Sequence, residues 1–147
     1  EFIDTDDAIE EMTEIKVTDI FREFGEDRFR EMEAAFFIEK AKQSGQIFST
    51  GGGIVLVEEN RKVLQNKGIC FFLDASSQTL AQRIHNKTKR PLLADSNNLA
   101  DRLQTIWNDR RKFYKDSSHH IIKTDKLKPA QVLDEILKIL EVPVADH

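Results

Sequence analysis

Hydrophobic positions in this chain follow two patterns. Four short apolar segments run without alternation. Phe2-Ile3 leads into Asp4-Thr5-Asp6, and Gln46–Thr50 leads into Gly51-Gly52-Gly53; Ile69–Leu73 stops at Asp74, and His119–Lys123 stops at Thr124-Asp125. Such runs predict strands buried on both faces, as in a parallel sheet. Between them, apolar residues recur with a helical period over about 7–13, 18–24, 26–44, 57–67, 76–86, 98–116 and 129–140. The last stretch opens on Pro129 and carries Val132, Leu133, Ile136, Leu137 and Leu140 on one stripe. Strands that alternate with helices build βαβ units, so the expected fold is α/β: three layers, a parallel sheet with helices on both faces.

Length and charge narrow the class. The chain has 147 residues, with 22 Lys+Arg against 26 Asp+Glu and a net charge of −4. A single domain over 1–147 is expected, and the mild acidity argues against a nucleic-acid or membrane-surface binder. The one cysteine, Cys70, rules out an internal disulfide and fits a reducing, cytoplasmic setting. No apolar run approaches the ~20 residues that cross a bilayer, and no signal-peptide pattern opens the chain. His85, His119, His120 and His147 lack zinc-like spacing. Cys70, Trp107 and the phenylalanines read as buried hydrophobes.

Ligands in parallel sheets bind beyond the carboxyl ends of the strands. Three predicted strands end in Asp4/Asp6, in Gly51-Gly52-Gly53 and in Thr124-Asp125-Lys126. The stretch 85–98 has no periodicity, holds Lys87, Lys89, Arg90 and Pro91, and is expected to act as a lid. Arg110 falls on the apolar stripe of Leu99, Leu103, Ile106, Trp107 and Tyr114. It either snorkels at the helix end or turns inward to meet a carboxylate. Arg30 shares a helical face with Glu26 and Glu33, which makes either a structural ion-pair network or a guanidinium oriented to grip a ligand. Asp4 and Asp6 either hold Mg²⁺ through water and accept a hydroxyl proton, or serve as a helix cap, with Asp6 or Asp7 as the cap residue. The three glycines let a backbone approach a ligand and offer it N–H groups.

Taken in order, FIDTDDAIE, FGEDRFREME, STGGG, RPLL and Arg110-x-x-x-Tyr114 resemble the shikimate kinase family, and the resemblance runs from Glu1 to about Leu140. It implies a P-loop fold of the nucleoside-monophosphate-kinase type, with substrate-binding helices over about 7–44. It also implies transfer of the γ-phosphoryl of MgATP to the 3-hydroxyl of shikimate, on the route to aromatic amino acids. In that family Asp6 would act on the 3-hydroxyl as base or orienter, and Asp4 would hold the Mg²⁺ shell. Arg30 and Arg110 would clamp the shikimate carboxylate, with Gly52 and Gly53 lining the pocket. Arg90 would reach the ATP phosphates, Arg83 would pack on adenine, and the loop around Lys126 and Leu127 would cover its other side. The expected partners are shikimate and ATP, with no nucleic acid or membrane, and the expected state is a monomer.

Three features depart from the family pattern. Glu14 stands where a glycine is usual, and Lys112-Phe113 replaces a Pro-Leu pair. The 147 residues contain no Gly-x-x-x-x-Gly-Lys-Ser/Thr. The strand carrying that loop is expected between the strand before the triple glycine and the strand at Ile69–Leu73, so its absence from the chain would leave two apolar edges unpaired. A non-catalytic shikimate-binding or regulatory domain, and a kinase of another small hydroxy or sugar acid, stand as alternatives.

Overall fold

Asp4 ends the first strand and caps the first helix in a single step. In the computed structural model, which describes residues 1–84, 92 and 98–142, β1 spans Phe2–Asp4 and α1 spans Thr5–Thr13. The extended backbone of Asp4 leaves its Oδ1 to accept the Asp7 N–H at 3.1 Å. Asp6 and Asp7, expected as the cap, instead occupy the first turn, where carboxylates complement the helix dipole. Helix α1 ends at Glu14, whose φ of 58° lies in the left-handed region and whose N–H closes on the Glu10 carbonyl. The non-glycine residue therefore carries the turn the family gives to glycine. Helix α2 (Val17–Phe24) and helix α3 (Glu26–Lys40) follow, separated by Gly25 at φ 85°.

The chain continues through β2 (Ile47–Ser49), a 3-10 turn (Gly52–Leu56), α4 (Glu58–Asn66) and β3 (Phe71–Asp74). Then come α5 (Ser77–Arg83), α6 (Leu99–Ser117), β4 (His120–Lys123) and α7 (Pro129–Ile139). All four predicted strands and the seven predicted helices form. The 3-10 turn immediately after Gly51 was not foreseen. The segment expected as a lid, 85–98, lies outside the described residues except for Leu92 and Asn98.

Both sheet pairings are parallel. β1 pairs with β2, aligning Phe2 with Ile47 and Asp4 with Ser49; β3 pairs with β4, aligning Phe71 with His120 and Asp74 with Lys123. Among the described residues no ladder joins one pair to the other. A cavity of about 680 Å³ lies between them, walled by Phe48 and Thr50 on one side and by Phe72, Asp74, Trp107 and Tyr114 on the other. The expectation of strands buried on both faces does not hold. Phe2 and Ile47 are each 68% exposed, Leu73 50% and Ile121 46%. The apolar runs are real, but each sheet is two strands wide, and these positions meet no covering layer among the described residues.

Two cores hold the helices. Ile9, Ile20 and Phe29 bring α1, α2 and α3 together, with Ile15, Val17, Phe21 and Met32 around them. Phe37, Ile54 and Val55 form the second, under the 3-10 turn, with Phe48, Val63, Leu64, Phe113 and Tyr114 against it. Each fully buried aliphatic side chain contributes about 1.5–3 kcal/mol. Trp107 is not core: it is half-buried at the cavity wall, stacked on Phe72 at 5.8 Å and Tyr114 at 6.1 Å. Cys70 is likewise only half-buried and precedes β3 rather than sitting inside it; desolvation pushes its thiol pKa up.

Candidate active site

The three glycines after β2 each face a different charged neighbour. A Cβ built on Gly51 would lie 3.7 Å from Asp6 Oδ1 and 3.9 Å from Glu33 Oε2. One on Gly52 would lie 2.9 Å from the Tyr114 hydroxyl and 3.8 Å from Arg110 Nη1, and one on Gly53 would fall on the Arg30 guanidinium. Side chains from α1, α3 and α6 therefore converge on this backbone, and only a residue without Cβ lets them come so close.

Arg30 is held from within its own helix. Its Nη1 donates to Glu33 Oε1 at 3.0 Å and its Nη2 to Glu26 Oε1 at 3.4 Å. The rings of Phe21 and Phe29 lie 5.8 and 5.2 Å from the guanidinium carbon. The Arg30 side chain is 12% exposed and that of Glu33 0%. The ion-pair network is real, and it fixes the guanidinium against the glycine backbone. Two buried polar atoms in it have no partner: Arg30 Nε and Glu33 Oε2. Burial, acting against the Arg30 charge, raises the Glu33 pKa above the usual carboxylate value.

Arg110 is the sharper anomaly. In α6 the buried residues are Arg110 and Ser117, while Leu103, Ile106 and Trp107 on the same stripe are only half-buried. Arg110 is 9% exposed, and no carboxylate lies within ion-pair distance of it among the described residues. A buried guanidinium without a protein anion is a strong demand for an anionic ligand. Arg110 Nη1 lies beside the glycine turn, 3.8 Å from where a Cβ on Gly52 would sit, so the head group faces the site.

Asp6 completes the group. Its carboxyl is raised from the ordinary 3.8, first by burial and then by the neighbouring Asp4 charge, with Arg30 pulling the other way. Asp4 and Asp6 are not placed by a strand period of two, because Asp6 already belongs to α1. Among the described residues no group of three or more His, Cys, Asp or Glu side chains is arranged to hold a metal ion.

Arg83 and Leu127, the residues expected to meet adenine, lie in a second cluster. Arg83 donates from Nη1 to Thr124 Oγ1 at 2.8 Å and from Nη2 to the Thr124 carbonyl at 2.6 Å. The Leu127 N–H donates to that same carbonyl at 3.0 Å. Asp125 accepts from the Ser76 N–H at 2.9 Å and from Thr79 Oγ1 at 2.8 Å, and these donors lower its pKa to about 2. The loop after β4 is thereby clamped to α5.

Of the residues singled out from the sequence, Asp6, Arg30, Gly52, Gly53 and Arg110 come together, with Asp4 beside Asp6. Arg83 and Leu127 form the second cluster, and Arg90 lies outside the described residues. Glu33, expected beside Arg30 from its i+3 spacing, is one of the carboxylates that hold it. Tyr114 lies on the Arg110 stripe as expected, but its contact with the Gly52 carbonyl was not foreseen.

The chain is similar to proteins of one family. A family model described as shikimate kinase matches residues 1–141. A shikimate kinase of Thermodesulfovibrio yellowstonii is 35% identical over 141 residues, covering 96% of this chain and 80% of the relative. One from Haemophilus influenzae is 33% identical over 141 residues, covering 96% and 78%. Among solved structures, a shikimate kinase from Acinetobacter baumannii in complex with shikimate superposes with a TM-score of 0.91 at 28% identity, covering 96% of this chain and 78% of that one. The shikimate kinase of Bacteroides thetaiotaomicron gives a TM-score of 0.86 at 29% identity, covering 96% and 84%. With its arginines, carboxylates and glycines gathered at one strand end and a match over nearly its whole length, the chain belongs to the shikimate kinase family.

Proposed function

We propose that this protein transfers the γ-phosphoryl group of ATP to the 3-hydroxyl of shikimate, a step of aromatic amino acid biosynthesis. The observation that carries the reading is Arg110, a largely buried cation with no carboxylate at ion-pair distance among the described residues, set against the same glycine backbone as Arg30. Two guanidiniums at Gly52-Gly53 suit a compact ligand carboxylate, which would add to the charge balance: Glu33 pairs directly with Arg30 and reaches Arg110 only through its field.

With the carboxylate so fixed, the ring hydroxyls are turned toward Asp6. The 3-hydroxyl oxygen forms a bond to the γ-phosphorus, the bond from that phosphorus to the β–γ bridging oxygen breaks, and ADP leaves. The hydroxyl proton passes to Asp6, whose raised pKa suits a base that must be re-protonated and reset. Most of the acceleration comes from positioning and from charge neutralisation of the transferred group. Asp4 and Asp6, two like charges in contact through their fields, suit a Mg²⁺ ion held through water. Such an ion neutralises phosphate charge when bound. On the nucleotide side, Arg83 and Leu127, tied together at Thr124, are assigned to the adenine, and Arg90 keeps the phosphate contact that the family resemblance gives it.

No helix among the described residues is long and apolar enough to cross a membrane; the single cysteine fits the reducing cytoplasm that we propose. The test is ADP release from MgATP in the presence of shikimate, beside a panel of other compact hydroxy acids. Shikimate-dependent release with shikimate preferred supports the reading. Equal turnover of unrelated hydroxy acids, or none with shikimate, overturns it.

A further inference from the structure

Three carbonyls of the 3-10 turn that carries Gly52 and Gly53 accept from side chains outside it. Asn60 Nδ2 donates to the Ile54 carbonyl at 3.0 Å, and Arg61 Nη1 donates to that of Val55 at 2.6 Å. The third tie comes from the opposite side: the Tyr114 hydroxyl donates to the Gly52 carbonyl at 2.9 Å. It is the only one of the three made to a glycine, and it comes from α6, one helical turn beyond Arg110.

We infer that Tyr114 is a positioning residue for the carboxylate pocket, acting through the Gly52–Gly53 peptide. A trans peptide is planar, so its C=O and the following N–H point in opposite directions. Pinning the Gly52 oxygen on the Tyr114 side therefore fixes the Gly53 N–H on the other, and Gly53 is the residue packed against Arg30. The Tyr114 bond supplements the 3-10 turn's own bonding at a peptide whose two glycines put little steric limit on its tilt.

The hydroxyl is itself held in place. The Tyr114 ring stacks on Phe72 of β3 with centroids 4.8 Å apart and planes within 9°, and Trp107 lies near-parallel to both, 6.1 Å from Tyr114 and 5.8 Å from Phe72. Gly52 is wedged between the Tyr114 hydroxyl and Arg110, since a Cβ there would meet the first at 2.9 Å and the second at 3.8 Å. One helix thus delivers two side chains to one glycine. Arg110 supplies the charge for the ligand, and Tyr114 sets the backbone that the ligand meets.

This inference rests on the shikimate reading given above, and the experiment separates the two. Shikimate and ATP affinities are measured by calorimetry for the unaltered protein, for Tyr114→Phe, for Gly52→Ala and for the double variant, each with a thermal melt. Tyr114→Phe keeps the ring stack and loses only the hydroxyl. It should weaken shikimate about three- to tenfold, the size of one net hydrogen bond, while ATP affinity and melting temperature stay as they were. In the double variant the two losses should not add, because a Cβ on Gly52 already breaks the tie. Unchanged shikimate affinity in Tyr114→Phe overturns the positioning role alone, and so do strictly additive losses. Failure of the unaltered protein to bind shikimate overturns the functional reading and this inference with it.

Discussion

A methyl group on Gly53 would occupy the space of the Arg30 guanidinium. The two residues come from different elements, the 3-10 turn and α3, and the contact exists only because one has no side chain. Arg30 cannot simply swing away, because Glu33 and Glu26 hold it and two aromatic rings flank it.

Gly53→Ala should therefore act through Arg30. Displacing the guanidinium strips Glu33, fully buried, of its only ion-pair partner, and breaking a buried pair in this way costs up to about 3–5 kcal/mol. We expect a lower melting temperature together with at least a tenfold loss of shikimate affinity, read by thermal melt and calorimetry. Full affinity in the alanine variant would show that Arg30 does not need its present place.

Asp6 gives a prediction with a definite sign. Its folded pKa is raised above 3.8 by burial and by Asp4. The neutral form is thus favoured by folding, a contribution present below the unfolded value and lost as pH rises through the folded one. At neutral pH the ionised carboxylate is a burden on stability that function retains. Asp6→Asn should melt higher than the parent at pH 7 while losing phosphotransfer, and the acid limb of the parent's kcat profile should lie above 3.8. An asparagine variant that is active, or that melts lower, contradicts the assignment.

Asp125 works in the opposite direction. The Ser76 and Thr79 donors hold its pKa down to about 2, so its stabilising effect is present above the unfolded value and lost as pH falls toward 2. Asp125→Asn should melt below the parent at pH 7, and the gap should close between pH 3.8 and 2. A gap that is constant over that window would mean that the charge plays no part in clamping the loop.

Glu14 is an exposed residue with φ 58°, where a side chain is strained and glycine is not. Glu14→Gly should raise stability by about 0.5–1 kcal/mol, the left-handed penalty less the entropy of a freer unfolded chain. Denaturant unfolding reads this directly, and a drop in stability would assign Glu14 a contact that outweighs its backbone strain.

Much of this was legible in the sequence because it is local. The strand and helix periods, Pro129 at the start of α7, Arg110 on an apolar stripe and Arg30 beside Glu26 and Glu33 each follow from spacing along a few turns. What could not be read is what depends on neighbours distant in sequence. The cap of α1 is Asp4 rather than Asp6 or Asp7, because the helix begins as soon as β1 ends. The exposure of Phe2 and Ile47 depends on what lies over a sheet two strands wide, which an apolar run does not report. Tyr114 was visible on the Arg110 stripe and in the motif, but its bond to Gly52 was not, since it spans 62 residues. Phe113, a departure from the family pattern, takes the Arg61 guanidinium over its ring at 4.3 Å, a use that its position alone does not suggest.

The account turns on Arg110, and one titration addresses it most directly. Shikimate is titrated calorimetrically into the parent protein and into Arg110→Ala, with ATP titrated into both as a reference. A charge-assisted contact to a carboxylate, lost from a buried site, costs about 2–5 kcal/mol, or roughly 30- to several-thousand-fold in affinity. The expected result is one shikimate site in the parent, no measurable shikimate binding in the variant, and ATP affinity nearly the same in both. Equal shikimate affinity in parent and variant would contradict the account, because the buried guanidinium would then be serving the fold and not the ligand.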